Sequence, residues 1–287
     1  MSNEENRATG QAETGRRIRW HGDRLVAALA TLCVIFVLIA ILAPLIAPHP
    51  PNKTDILNAS AAPSPAHWLG TDDVGRDILS RLIFGFQLSL LGPAIVIAIT
   101  TTFAIALSLS SVWIGGRYDR IVAHALNLLF SFPALLLAIL CVAIFGAGII
   151  APSIALAVGF TPYMARVIRS VALRERHLPY IEACELAGMS GWRICLRHLL
   201  PNIMPIIRAH VTISFGSALI DLAAISYLGL GVQPPQAEWG LMVATGQSGL
   251  LAGHPWESLS ACALILIVVI TVSLLGERMT KQADEKS

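Results

Sequence analysis

Residues 166–201 read RVIRSVALRERHLPYIEACELAGMSGWRICLRHLLP. They lie between two apolar runs, Ile149–Ala165 and Ile203–Leu230, and are too many to serve as a mere connector between neighbouring helices. Pro179 can open a short helix, at a first-turn position where its missing N–H costs nothing. Tyr180, Ile181, Ala183, Cys184, Leu186 and Ala187 supply the apolar side of that helix, and Glu182 and Glu185 its polar side. Gly188 is placed to end it in the left-handed conformation. Ser190 can cap a second turn carrying Trp192, Ile194, Cys195 and Leu199, and Pro201 with Asn202 begins the next apolar run. Two short helices at an angle make a compact knob, which either packs on its own chain or plugs a groove in a soluble partner.

Outward from that knob the chain is overwhelmingly apolar. It has 287 residues, 55% hydrophobic and only 13% charged, with mean hydropathy +0.69, about half the charge of an ordinary globular chain. Disorder, nucleic-acid binding and a small disulfide scaffold are excluded by that composition. Six long apolar runs follow one another: Leu25–Ala47, Leu88–Val112, Ile121–Phe145, Ile149–Ala165, Ile203–Leu230 and Leu259–Leu275. About 20 apolar residues cross the hydrocarbon layer as a helix. No run shows the two-residue alternation of a membrane barrel. The expectation is an all-α polytopic membrane protein with six transmembrane helices. Its parts are a tail 1–24, a first helix 25–47, a loop 48–87 with an amphipathic segment, a five-helix core 88–276 and a tail 277–287.

The basic residues orient the bundle. With the N-terminus inside, sixteen of the twenty Lys and Arg fall in cytoplasmic segments, from Arg7, Arg16, Arg17, Arg19 and Arg24 through the 166–201 loop to Arg278, Lys281 and Lys286. Only Lys53, Arg76 and Arg81 lie in outer segments. The positive-inside rule then puts both termini in the cytoplasm. The first run is too long for the apolar core of a cleaved signal peptide, so it reads as an uncleaved anchor.

No catalytic chemistry is legible. Cys33, Cys141 and Cys262 sit within apolar runs, and Cys184 and Cys195 form no C-x-x-C, so neither a disulfide framework nor a zinc site is implied. The histidines are dispersed, and His49, His67 and His254 of the outer segments look widely spaced. A phosphate-binding P-loop needs Gly-Lys-Ser/Thr, but the three lysines follow Asn52, Thr280 and Glu285. No cofactor or metal is expected, and any work the protein does draws on a partner or an ion gradient.

The loop resembles the EAA loop of ABC-importer permeases. Glu182-Ala183-Cys184, three residues, Gly188, nine residues and His198-Leu199-Leu200-Pro201 reproduce its spacing, with Cys184 for the second alanine and His198 for isoleucine. HWLGTDDVGRDILSRLIFG at 67–85, GGRYDR at 115–120, FSFPALLLAIL at 130–140 and YLGLGVQPPQAEWG at 227–240 are similar to one branch, the dipeptide/oligopeptide/nickel permeases. The resemblance spans about residues 25 to 276. It implies a type I importer permease fold in a bacterial inner membrane and an EAA loop at 173–201 acting as a coupling helix. The implied partners are a second permease subunit, cytoplasmic ABC ATPase subunits and an extracytoplasmic solute-binding protein. Carried onto this chain, the ATPase-coupling residues are Glu182, Ala183, Cys184, Gly188, Leu200 and Pro201. The C-terminal Leu275-Gly276-Glu277-Arg278 departs from the family's acidic and Arg-Asp pattern.

Two further segments carry expectations. In the 67–85 motif Thr71 or Asp72 can cap a helix, Asp77 and Arg81 are an i, i+4 pair, and Val74, Ile78 and Leu82 form a stripe, so an amphipathic helix at the outer interface is expected. Six outer acids (Asp55, Asp72, Asp73, Asp77, Glu238, Glu257) suggest a face for the binding protein, and Trp239 an interfacial anchor. Within the spans Asp221 is the costly residue, and His210 lies about three turns away on nearly the same face. Both are candidates for a translocation path. For Asp221 a hydrogen bond within the bundle is the alternative, and for His210 a structural role near the cytoplasmic end. The cargo is expected to be a di- or oligopeptide, with nickel or another small solute as the alternative. A proton-coupled secondary transporter using Asp221 and His210 is the rival mechanism.

Overall fold

A backbone immersed in hydrocarbon finds no water for its N–H and C=O groups, so it must pair them within itself. The computed structural model, which describes the backbone of residues 2–284 and the side chains of residues 24–282, accordingly contains helices and, among the described residues, a single isolated β-bridge between Thr71 and Asp77. Arg7, Arg16, Arg17, Arg19 and Lys286, which weigh in the orientation reading, lie outside the described side chains.

The elements are α1 (Ser2–Ile46), α2 (Ile78–Ile114), α3 (Gly116–Phe130), α4 (Ala134–Phe145), α5 (Ile150–Arg176), α6 (Pro179–Leu186), α7 (Gly191–Ile194), α8 (Leu200–Tyr227), α9 (Trp239–Leu251) and α10 (Trp256–Asp284). Five helical stretches are long and apolar enough to cross a membrane. The bent pair α3 and α4 brings the number to six if it is one span. One end of the bundle carries the 47–77 and 228–255 loops (the loop end), and the other carries α6 and α7 (the elbow end).

The bundle has an apolar interior and an apolar exterior, as a lipid-solvated helix assembly requires. α1 packs on α2 and α10 and leaves Ile41 and Leu45 exposed. Leu140, Phe145 and Ile270 continue that outer apolar surface. Inside, α8 lies against α10 with Gly216 near Ser273 and Gly276 near Ile213, the small-residue contact that lets membrane helices approach.

The structure revises four sequence expectations. First, the run Ile121–Phe145 is not one straight helix. It breaks over Ser131–Pro133 and bends by 77°, because Pro133 cannot continue a helix and disfavours helical geometry at Phe132. Second, the outer motif holds no separate interfacial helix. Residues 71–77 form a tight loop, and the helix begins only after Asp77, whose side chain accepts from the Ser80 N–H at 2.8 Å. Third, the second short helix of the knob is not separate from the fifth span, which has Pro201 in its first turn as expected. The chain stays helical from Gly191 to Tyr227 through a π turn at Cys195–Leu199, whose wider winding ends just before the proline that lacks an N–H. Fourth, Trp239 is not an interfacial anchor. It is fully buried at the start of the additional helix α9, donates from Nε1 to the Leu82 carbonyl at 3.1 Å and meets Phe86 edge-on at 4.7 Å.

The loop end is organised by buried charge. Asp72 accepts from the Val74 and Arg76 N–H groups (3.1 and 2.8 Å) and from Arg76 Nε (2.6 Å), and Arg81 Nε lies 3.6 Å away. Arg81, fully buried, also donates to the carbonyls of Pro51, Pro235 and Gln236. The expected Asp77–Arg81 pair therefore does not form. Gly75, at φ +79°, closes the turn where a Cβ would strike the Asp55 carbonyl, so only glycine fits there. Asp72→Asn leaves two buried guanidinium groups facing a neutral amide and is expected to cost about 3 kcal/mol. Asp73→Asn, at a carboxylate 53% exposed, is expected to cost less than about 1 kcal/mol. Thermal unfolding of the two variants in detergent checks the contrast.

Candidate coupling elbow and translocation cleft

At the elbow end, Pro179 occupies the first turn of α6, as its missing N–H allows. The helix closes with a Schellman pair: Met189 N–H donates to the Cys184 carbonyl (3.2 Å) and Gly188 N–H to the Glu185 carbonyl (3.0 Å), with Gly188 at φ +73°. Ser190 stands at the N-cap of α7, but its side chain makes no capping bond. From there the helix runs on into α8. The elbow is therefore one bent arm joined to a long span, not two short helices hung on a loop.

The arm is fastened to its own bundle by one face. Ile181, Ile194, Cys195 and Leu199 are buried, the last two in a cluster with Leu109, Met164, Ile168 and Ile203. Tyr180 ties three elements together: its hydroxyl donates to Glu175 at the end of α5 (2.8 Å) and accepts from Asn202 Nδ2 in α8 (2.8 Å). Burial, reinforced by the Glu175 carboxylate that takes its hydrogen, pushes the Tyr180 pKa up to about 12, so the phenol remains a neutral donor. Arg176 donates to the Val112 and Trp113 carbonyls and lies 4.8 Å from the Trp113 ring centre. Arg169 grips Asp119 with two hydrogen bonds of 2.8 and 2.6 Å, and Ser111 also donates to Asp119. Asp119 belongs to the GGRYDR motif, whose part in clasping α3 to α5 is not legible in the motif itself.

The other face of the elbow is open. Glu182, Ala183, Gly188 and Pro201 are exposed, and Cys184 and Leu200 half-buried. Leu186 is 90% exposed and Trp192 56%. The six coupling candidates thus lie along one arm, with large apolar side chains beside them, Leu186, Trp192 and Leu196, that its own bundle leaves bare.

Asp221 and His210 are placed apart on α8. Asp221 lines a cleft of about 470 Å³ with Phe130, Phe132, Pro133, Gly159, Tyr163 and Ser217, among others. Among the described residues no side chain donates a hydrogen bond to its carboxylate. His210 does not line this cleft, but its Nδ1 is 3.2 Å from the hydroxyl of Tyr163, which does. The Ser131–Pro133 break opens directly onto the cleft, the place where irregular backbone is tolerated in a membrane protein. At the loop end, Asp72, Asp77, Glu238 and Glu257 are buried, so of the six outer acids only Asp55 and Asp73 are exposed. Glu238 caps α9, accepting from the Gly240 and Leu241 N–H groups. The histidines are also nearer than the sequence suggests, for the rings of His49 and His67 are 4.9 Å apart.

Comparison with known proteins agrees with this architecture. Residues 101–282 match the family described as the binding-protein-dependent transport system inner membrane component. Residues 23–63 match the N-terminal transmembrane domain of oligopeptide transport permease C. The chain is 33% identical to a probable D,D-dipeptide transport system permease protein of Escherichia coli strain K12, over 95% of this chain and 92% of that one. It is 34% identical to a dipeptide transport system permease protein of Alkalihalophilus pseudofirmus, over 88% and 82%. It is also 34% identical to a glutathione transport system permease protein of Escherichia coli O157:H7, over 96% and 90%. Among solved structures, a methionine ABC transporter in an inward-facing conformation shares the fold with TM-score 0.59 at 19% identity, over 72% of this chain and 97% of that one.

Gly188 has open space around it, so its requirement is conformational alone. Left-handed backbone is tolerated by asparagine, costs other residues about 1–2 kcal/mol and is worst for β-branched ones. Gly188→Asn is expected to retain uptake by the assembled transporter and Gly188→Val to lose it while remaining inserted. Radiolabelled uptake, with immunoblots of membrane fractions, checks the order.

Proposed function

Since this chain belongs to the family of inner membrane components of binding-protein-dependent transport systems, we propose that it forms half of the path of a peptide importer, driven through its elbow by a separate ATPase. It is a multi-pass membrane transport subunit. The cargo reading rests on the relatives, whose names specify a D,D-dipeptide, a dipeptide and glutathione, all short peptides. The observation that carries the coupling reading is the exposure of Leu186 and Trp192 on an arm whose opposite face is fixed to α5 and α8. Isolated apolar side chains on such a rigid projection fit a groove in a soluble partner better than they fit water.

In this reading the elbow end faces the cytoplasm, as the arginines from Arg166 to Arg197 favour. Closure of the ATPase pair displaces the arm, and the arm carries α5 and α8 with it. Those helices supply Gly159, Tyr163, Ser217 and Asp221 to the cleft, so a push at the elbow changes the width of the path. A second permease chain completes the path, and an extracytoplasmic binding protein delivers the peptide to the loop end. Asp221, whose carboxylate accepts no side-chain hydrogen bond among the described residues, offers itself to the peptide's ammonium group or to backbone N–H groups as they pass.

Leu186→Asp places a charge in the proposed groove and is expected to weaken ATPase association about 30-fold or more, as loss of a central apolar anchor does, with insertion unchanged. Co-purification with the ATPase subunits measures it; undiminished recovery overturns the coupling reading. Asp221→Asn is expected to reduce uptake without releasing the ATPase. Uptake that survives an uncoupler but stops with a hydrolysis-dead ATPase excludes the proton-driven rival, and transport of nickel in place of peptide by the same complex overturns the cargo reading.

A further inference from the structure

Three side chains from separate parts of the loop end converge on one point. His49 follows α1, His67 sits in the turn before the 70–77 loop, and Asp77 caps α2. One ligand atom from each lies within 4.8 Å of the other two. We infer that His49, His67 and Asp77 form a binding site for a divalent transition-metal ion of the zinc type, which clips the 48–77 loop to the start of α2.

The surrounding hydrogen bonds orient the ligands for that task. His49 Nε2 lies 3.0 Å from the Ala66 carbonyl, which can only accept, so Nε2 carries the hydrogen and Nδ1 keeps its lone pair. A ligating histidine whose other ring N–H is held by a backbone carbonyl is the usual outer-shell arrangement of a metal site. The backbone N–H of His49 donates to Ser80 Oγ (3.0 Å), and Ser80 donates from both its N–H and its hydroxyl to Asp77 Oδ2 (2.8 and 2.7 Å). Ser80 therefore fixes two of the three ligands at once and leaves Asp77 Oδ1 facing His67. His67 Nδ1 and Asp77 Oδ1 are 2.9 Å apart, slightly less than the ~3.3 Å between two ligands of a tetrahedral ion with bonds of ~2.0 Å. A small opening, with the ring hydrogen moved to Nε2, admits the ion between them.

The donor set decides the kind of ion. Two imidazole nitrogens and one carboxylate suit zinc and its neighbours, whereas magnesium and calcium prefer oxygen throughout. Three protein ligands leave a fourth position for water, and the half-exposed rings of His49 and His67 give the ion a way in. Asp77 is buried, so at its Oδ1 the ion competes with the His67 ring hydrogen and not with bulk water. The inference concerns the anchoring of the loop and does not depend on which cargo is carried.

The test uses the full chain in lipid nanodiscs, stripped with a chelator and titrated with Zn²⁺ against a chromophoric competitor. The wild type is expected to bind one equivalent more than a His49→Gln/His67→Gln variant, and Mg²⁺ is expected not to compete. The unmutated chain supplies an independent measurement. Ethoxyformylation of His49 and His67, followed by mass spectrometry, is expected to fall several-fold with Zn²⁺, while the exposed His254 reacts as before. Equal Zn²⁺ binding by wild type and variant, equal protection of all three histidines, or protection by Mg²⁺ overturns the site.

Discussion

The constraint on which everything else depends is the demand that each backbone polar group be paired where no water can reach it. Helices meet that demand along the spans. At the loop end, where the chain turns back on itself close to the bundle, buried side chains meet it instead. Asp72 and Glu238 each accept from two backbone N–H groups, and Arg81 donates to three backbone carbonyls contributed by two loops far apart in sequence. These charges stand in for solvent. That is a sufficient reason for burying them, since a buried ion pair contributes little net stability by itself.

The same demand explains the stiffness of the elbow. An arm that joined its span through an open loop would bend before it transmitted force. Here the junction stays helical through the π turn, and Tyr180 bonds the ends of α5 and α8 to each other. From Pro201 to Asp221 the rigid path is about 30 Å at 1.5 Å per residue, roughly the thickness of the hydrocarbon layer. In the proposed coupling, a displacement at the elbow reaches the cleft through one helix, with Gly188 as a sharp left-handed turn that keeps α6 angled against the span.

What the sequence disclosed and what it concealed follow from the range of each interaction. The apolar runs and the Pro179–Gly188 punctuation act locally, and both were legible residue by residue. Helix α9 was not, because the Trp239–Leu251 stretch is too short to span and carries no charged residue to mark its faces. The buried state of Asp72, Arg76 and Arg81 was hidden because charge in an outer segment reads as solvated until the folded loop supplies partners. His49 and His67 seemed remote for the same reason: eighteen positions apart in the chain, they meet only when the loop closes. In the candidate path, Asp221 was legible as a costly acid, whereas its exposure to a cleft depends on the bend at Ser131–Pro133, which an average over uncharged residues does not register.

That bend has a mechanical consequence. α3 is clasped to α5 by Arg169 on Asp119 and by Arg166, whose guanidinium lies 4.1 Å from the Phe130 ring centre and donates to Asn127. α4 is held to α5 differently, by the close approach of Ala134 to Gly159, a packing contact with no polar bond to resist sliding. In the proposed coupling, where α5 moves with the elbow, α3 is obliged to follow it while α4 can lag. In that proposal the difference falls on the Ser131–Pro133 joint, where short turn bonds from Ser131 N–H to Leu128 and from Phe132 N–H to Leu129 replace the regular helical ladder. Since Phe130, Phe132 and Pro133 line the cleft together with Asp221, the joint that would take up the proposed motion is also part of the wall of the proposed path.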